Sequence, residues 1–242
     1  KYVSYTVNSL CDPEIIKTAI DDFLQRHVDG LIWQCYPPER FTQEICQKIL
    51  QFPAAVIVCN TEIDIPFDLI HHDRTTAICS VVDHFVASGR RYPMIIAPSD
   101  SRHDKIDIFI NRLRYHQIEV SHKNVIEFPL VTEKSIGRHF LDALEAAFPH
   151  GYPPFDGLFC SPDEGALASI RWLKNRGLRV PQDVAVVGFD NNDFTEFCDP
   201  PLASIRPCSS EMVSMIETML FSRLDDSDLP PRTQRIPMQF VW

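Results

Sequence analysis

Apolar residues in this chain change their spacing repeatedly, and that rhythm limits the fold more than any other feature. Short apolar runs alternate with stretches whose apolar positions recur three and four residues apart. Ala54–Cys59 reads AAVIVC, almost unbroken. A strand covered on both faces needs such a run, and parallel strands are the usual case. Tyr2–Val7, Asp29–Trp33, Pro93–Ala97, Asn124–Phe128, Asp156–Cys160, Val184–Phe189, Leu202–Ile205 and Ile236–Val241 also read as strands. Helices fall between them. Asp12-Pro13-Glu14 combines an N-cap, a proline at the first helical position and an acid in the first turn. Ile15, Ile16, Ala19, Ile20, Phe23 and Leu24 then follow at helical spacing. The Ile78–Val86 stretch stops at Gly89, a natural residue for a left-handed helix end. Ser161-Pro162-Asp163-Glu164 has the form of a capping box.

Strand and helix in alternation predict an α/β protein whose parallel sheets have helices on both faces. The rhythm runs through once before about Tyr92 and once after, which predicts two doubly wound lobes. Ligands in such sheets bind beyond the carboxyl ends of the strands. The polar residues at those positions are Asn60, His72 and Asp73, Ser99 to Ser101, Asp163, and Asp190 to Asn192. Their carboxylates, amides and hydroxyls suit a polyhydroxylated ligand. Each of the two later acids also has a plain structural reading: Asp163 could serve only its helix N-terminus, and Asp190 only a turn.

No catalytic template fits. The chain holds no GxSxG elbow, no GxxxxGK[ST] phosphate loop and no GxGxxG fingerprint. His71-His72-Asp73 lacks a third spaced ligand, so a polar loop is preferred to a metal site. Neither a metal nor a cofactor is expected. Phe41, Phe85, Phe109 and Phe140 read as core. No apolar run approaches the roughly 18 to 20 residues a membrane span needs. Acidic residues number 33 against 23 basic ones, a net charge of −10, so this segment is not expected to grip nucleic-acid phosphates by itself. The eight cysteines include no CxxC pair, and they read as buried thiols in a reducing compartment.

One stretch is specific. Arg179–Asp190 reads RVPQDVAVVGFD, preceded by DGLFCSPDEGALASIRWLKNRGL and followed by PPLASIRP at Pro200–Pro207. With VDGLIW at Val28–Trp33 and SGRRYPMIIA at Ser88–Ala97, it resembles the effector-binding core of lactose-repressor/galactose-repressor-type transcription regulators over nearly the whole chain. The resemblance implies a type I periplasmic-binding-protein-like fold, with lobes at 1–91 plus 208–229 and 92–207 plus 235–242. It implies crossings near Tyr92, Pro207 and Leu229–Arg235, and an effector in the cleft. It further implies a cytoplasmic homodimer that uses the helices at Asp12–His27 and Pro38–Phe52. An upstream helix-turn-helix head would bind operator DNA. The chain opens at what looks like the family's second strand, so a truncated N-terminus is expected.

Ligand roles carry over by position. Asp73 matches the family's acidic cleft residue, and Asp190 matches the aspartate of its GFD motif. Asp163 matches the second member of an Asn-Asp pair whose asparagine is here Pro162. Lys105 falls where an arginine usually donates, ahead of Ile108-Phe109 in place of Gly-Phe. Thr132 sits where an aromatic often stacks. Ser101 joins them from its strand end. The resemblance implies a small-molecule effector, a sugar or sugar derivative, and no enzymatic activity. A periplasmic solute-binding protein of a transporter is the alternative on the same fold, and an enzyme on an α/β scaffold a further one.

Overall fold

The computed structural model describes residues 3–9, 12–35, 41–59, 63–101, 105–121, 124–131, 133–150 and 153–241. Its first elements are α1 (Pro13–Gln25), β1 (Gly30–Cys35), α2 (Gln43–Ile49), β2 (Ala54–Cys59), β3 (Asp68–His72) and α3 (Arg74–Ala87). Next come β4 (Pro93–Pro98), α4 (Asp107–Tyr115), β5 (Val125–Phe128), α5 (Ile136–Ala147), β6 (Gly157–Cys160) and α6 (Asp163–Lys174). The chain ends with β7 (Ala185–Phe189), β8 (Ala203–Pro207), α7 (Ser209–Asp225), β9 (Thr233–Ile236) and β10 (Met238–Val241). Two compact units result: Lys1–His72 with Cys208–Ile236, and Asp73–Pro207 with Pro237–Trp242.

The first unit is built on a four-stranded sheet in the order β1-β2-β3-β9, all parallel. Helix α1 begins as its sequence dictates. The Asp12 carboxylate accepts from the backbone N–H of Glu14 at 2.8 Å and of Ile15 at 3.3 Å, and Pro13 has no N–H to leave unpaired. Ile16 and Ile20, one turn apart, are buried beside Ile45, Ile49, Ile57 and Leu69. The other face of the sheet buries Val56 and Ile70 under Met212 and Met219 of α7.

Asp68, at the start of β3, has no exposed surface. Arg223 of α7 donates to it at 2.9 and 3.1 Å. Arg232 donates through its guanidinium at 2.6 and 3.2 Å and through its backbone N–H at 3.0 Å. Burial alone would push this carboxyl up. The bonds from Arg223 and then Arg232 outweigh it and hold the group below the ordinary range.

The second unit holds a six-stranded sheet, β10-β8-β7-β6-β4-β5, parallel except for the β10–β8 pair. Phe85, Phe109 and Phe159 fill one face and Phe140, Leu158 and Trp172 the other. Helices α5 and α6 touch closely at Gly165, where a Cβ would lie 2.3 Å from the Phe140 ring. Helix α3 ends at Gly89, φ +80°. There Arg90 N–H donates to Phe85 O at 2.8 Å and Gly89 N–H to Val86 O at 3.0 Å, the paired closure that a left-handed residue allows.

Several expectations need correction. Residues 3–9 form no strand: Val3, Tyr5 and Val7 alternate as a strand would, but pair with none among the described residues. Helix α3 belongs to the second unit, not the first, because Ala77, Ile78, Val81, Val82 and Phe85 pack with Ile95, Phe159 and Val187. The first change of unit therefore falls between His72 and Asp73 rather than near Tyr92. The single closing strand is two, parted at Pro237: β9 pairs with β3 in one sheet and β10 with β8 in the other. His71 and His72 lie on β3, not in a loop. Cys46, Cys79, Cys160, Cys198 and Cys208 are unbridged thiols, and Cys11 lies outside the described residues. No helix among the described residues is long and apolar enough to cross a membrane.

Removing one member of a buried ion pair leaves its partners uncompensated and costs about 3–5 kcal/mol. Asp68→Ala should lower the unfolding free energy by about that much, read by urea titration of the chain. A lowered folded-state pKa gives stability that is present above the unfolded carboxylate range and lost as pH falls through the folded value. The wild-type advantage over Asp68→Ala should accordingly shrink in acid.

Candidate functional site

Parallel strands bring their carboxyl ends to one edge of a sheet. In the second unit that edge receives Ser99–Ser101 after β4, Asp163 after β6 and Asp190–Asn192 after β7. The loop after β5 leaves from the same edge, since Phe128 pairs in register with Pro98.

Asp163 is the keystone of this edge. It has no exposed surface. The Ser204 hydroxyl donates to its Oδ1 at 2.6 Å, and the Asn192 backbone N–H donates to its Oδ2 at 2.7 Å. Its carboxylate lies directly over Gly188 of β7, where a Cβ would come within 2.1 Å of Oδ1. Only glycine leaves that space open. Burial pushes the Asp163 carboxyl up to about 6, against the bonds from Ser204 and Asn192, and the nearby charges of Asp190 and Glu164 add to the rise. The expected capping box is not formed: α6 starts at Asp163 itself, Pro162 stands at the N-cap, and no side chain caps the helix.

The turn after β7 is held at three successive N–H groups. Asp190 N–H donates to Ile205 O at 2.9 Å. Asn191 N–H donates to the Ser204 hydroxyl at 3.1 Å, and Asn192 N–H to Asp163. These bonds hold Asp190 at φ 102° and Asn191 at φ 51°. Left-handed backbone costs a non-glycine residue roughly 1–3 kcal/mol, a strain that persists where the surrounding structure over-determines it. The result is an aspartate fixed on this turn that reaches the surface while the surrounding protein still desolvates its carboxyl.

Cations meet it there. The Lys105 ammonium lies 4.9 Å from the centre of the Phe189 ring, a cation–π contact of about 0.5–2 kcal/mol. The surrounding protein raises the Asp190 carboxyl, and the Lys105 charge opposes that rise. Glu164 pushes the same way as burial, and Arg74 the same way as Lys105. Asp190, Asp163 and Lys105 therefore share one electrostatic neighbourhood. Ser101 is buried at the end of the turn after β4. Asp73 caps α3, with Oδ1 accepting from Thr76 N–H at 3.0 Å. Thr132 and Asn60 lie outside the described residues.

Arg74, Ser204 and Gly188 were not among the expected site residues. Arg74 carries a legible signal: it puts a cation in the first turn of α3, against the helix dipole. Ser204 shows no local signal, because its role depends on Asp163, 41 residues earlier in the chain.

A family model described as the periplasmic binding protein-like domain matches residues 82–242. The HTH-type transcriptional repressor CytR of Escherichia coli (strain K12) is 29% identical over 196 residues, 78% of this chain and 54% of that protein. The HTH-type transcriptional repressor PurR of Pasteurella multocida (strain Pm70) is 24% identical over 234 residues, 93% of this chain and 66% of that protein. The chain thus spans between about half and two thirds of the length of these curated relatives. An uncharacterized protein from Actinobacillus succinogenes has the same fold, with a TM-score of 0.80 at 24% identity, covering 97% of this chain and 84% of that one. So does a LacI family transcriptional regulator from Enterococcus faecium with bound ribose, with a TM-score of 0.74 at 20% identity, covering 93% and 82%.

The Asp163 carboxyl is higher in the fold than in the unfolded chain, so the sign is opposite to that of Asp68. The folded state loses stability as pH rises through the interval from the unfolded value near 4 to about 6. Asp163→Asn keeps an acceptor for Ser204 or Asn192 and removes this titration. Between those limits wild type should lose roughly 2–3 kcal/mol relative to Asp163→Asn. Paired urea titrations at either end of the interval check this, and equal slopes of stability against pH would refute it.

Proposed function

The chain belongs to the periplasmic-binding-protein-like domain family, in the group that includes lactose-repressor/galactose-repressor regulators, and on that premise we propose that it is the effector-sensing core of a DNA-binding transcription regulator. The observation that carries the reading is Asp190, held open on an immobilised turn beside Lys105 at the carboxyl edge of the second unit's sheet. A carboxylate accepts from ligand hydroxyls, and an ammonium donates to a ring oxygen or an anionic group. That pair suits a sugar or sugar derivative. Solved relatives of the same fold carry cellobiose in one case and ribose in another.

In this reading Asp190, Lys105 and Ser101 face the effector, with Asp73 and Thr132 as further contacts. Asp163 sits behind them and fixes the turn that presents Asp190. The function is binding without catalysis. The curated relatives are repressors, which favours a regulator over a transporter's solute-binding protein. The regulator is a cytoplasmic homodimer whose operator contacts come from a helix-turn-helix head. An effector changes operator affinity only through its unequal affinity for two states of the protein. Sedimentation of the chain at high micromolar concentration tests the dimer, and a strict monomer would argue against it.

A thermal-shift screen of sugars, sugar phosphates, nucleobases and amino acids identifies the effector, and calorimetry then tests the site. Hydrogen bonds to charged groups contribute about 1.5–3 kcal/mol, so Asp190→Gly and Lys105→Ala should each weaken binding about ten- to a hundredfold. Glycine takes a positive φ without steric cost, so Asp190→Gly should unfold no earlier than wild type. Unchanged affinity in both variants would sink the assignment.

A further inference from the structure

We propose that His139 is a proton-operated latch on the loop after β5, and that it holds the loop only while its ring is neutral. His139 lies in the first turn of α5 and is 6% exposed. Its Nε2 lies 3.0 Å from the Val131 backbone nitrogen. A backbone N–H can only donate, so Nε2 accepts and carries no proton. Its Nδ1 lies 3.0 Å from Ser135 O. A carbonyl can only accept, so Nδ1 carries the proton. The two contacts select a single neutral tautomer.

Packing prevents the ring from seeking other partners. It stacks on Phe128, the last residue of β5, with ring centres 5.8 Å apart and planes 17° from parallel. A proton added at Nε2 would face the Val131 N–H donor to donor. The bond would break, and Val131 would lose its tie to α5, leaving the Lys134–Asp142 pair as the loop's remaining link to that helix. Charged residues on the elements packed with α5 include Glu127 on β5, Glu133 and Lys134 in the loop, Arg138 and Asp142 on α5 itself, and Glu164 on α6; Asp142 interacts with the ring. Asp142 is engaged by Lys134 at 2.8 Å and Arg138 at 3.5 Å. Both ring nitrogens are committed to backbone groups, so none of these carboxylates can take the added proton's bond without the latch opening.

The loop leaves the edge that carries Asp190, and it presents Leu130 and Val131 at 45% and 43% exposure. An effect of the latch on effector binding rests on the function proposed above; the latch itself does not. The test is nitrogen-15 NMR of the whole chain without ligand. At about pH 7.5 the His139 ring should show the proton on Nδ1. As acid is added, uptake of a proton by the ring and loss of Val131 amide protection should occur together, with exchange, corrected for its intrinsic rate, at least about tenfold faster, as loss of one hydrogen bond implies. The Ile96 amide in β4 should not change. Glutamine can accept from Val131 and donate to Ser135, so in His139→Gln the Val131 amide should stay protected throughout the same titration. A proton on Nε2 of the neutral ring, or Val131 exchange that stays unchanged in wild type while the ring takes up a proton, would overturn the latch. The wild-type spectra decide the matter even if the variant fails to fold.

Discussion

The first unit depends on the carboxylate of Asp68. Its sheet takes three strands from one stretch of chain and a fourth, β9, from a stretch far away in sequence. Arg223 and Arg232 both come from that distant stretch, and both end on Asp68. A buried carboxylate without partners would be expensive to desolvate. With two guanidiniums it becomes the reason α7 and β9 return to one place. Helix α7 then covers Val56 and Ile70, and the sheet acquires its second packed face.

Asp163 answers the same physical problem in the opposite way. It too has no exposed surface, but it is met by a hydroxyl and a backbone N–H rather than by cations. Neutral donors compensate a charge less well than guanidiniums do, so one buried acid is held low and the other is raised to about 6. The difference suits their positions. Asp68 secures a fold. Asp163 sits under the turn after β7 and fixes it through Asn192 N–H and the Ser204 hydroxyl.

Much of this was legible in local patterns. The AAVIVC run became a strand buried on both faces, and Asp12-Pro13 became a capped helix start, because each follows from a few neighbouring residues. The positions of Asp190 and Asp163 followed from the rule for parallel sheets. Local patterns failed where the deciding partner lay far along the chain. Helix α3 has the same apolar spacing whichever unit it joins, and its membership is decided by Ile95, Phe159 and Val187. The odd-numbered apolar residues from Val3 to Val7 fit a strand, but alternation cannot supply a neighbour. Ser161-Pro162-Asp163-Glu164 fits a capping box, yet Ser204 and Asn192 claim the aspartate instead.

Between β9 and β10 there is a single residue, Pro237, and the two strands enter different sheets. The chain thus passes from one unit to the other three times, between residues 72 and 73, 207 and 208, and 236 and 237. No single cut separates the units into two intact pieces. For inheritance this means that recombination at one breakpoint cannot swap either unit whole: for any crossover between β1 and β10, at least one sheet receives strands from both parents. Single-breakpoint exchange in such a chain therefore works only among relatives close enough that their mixed strands still fit.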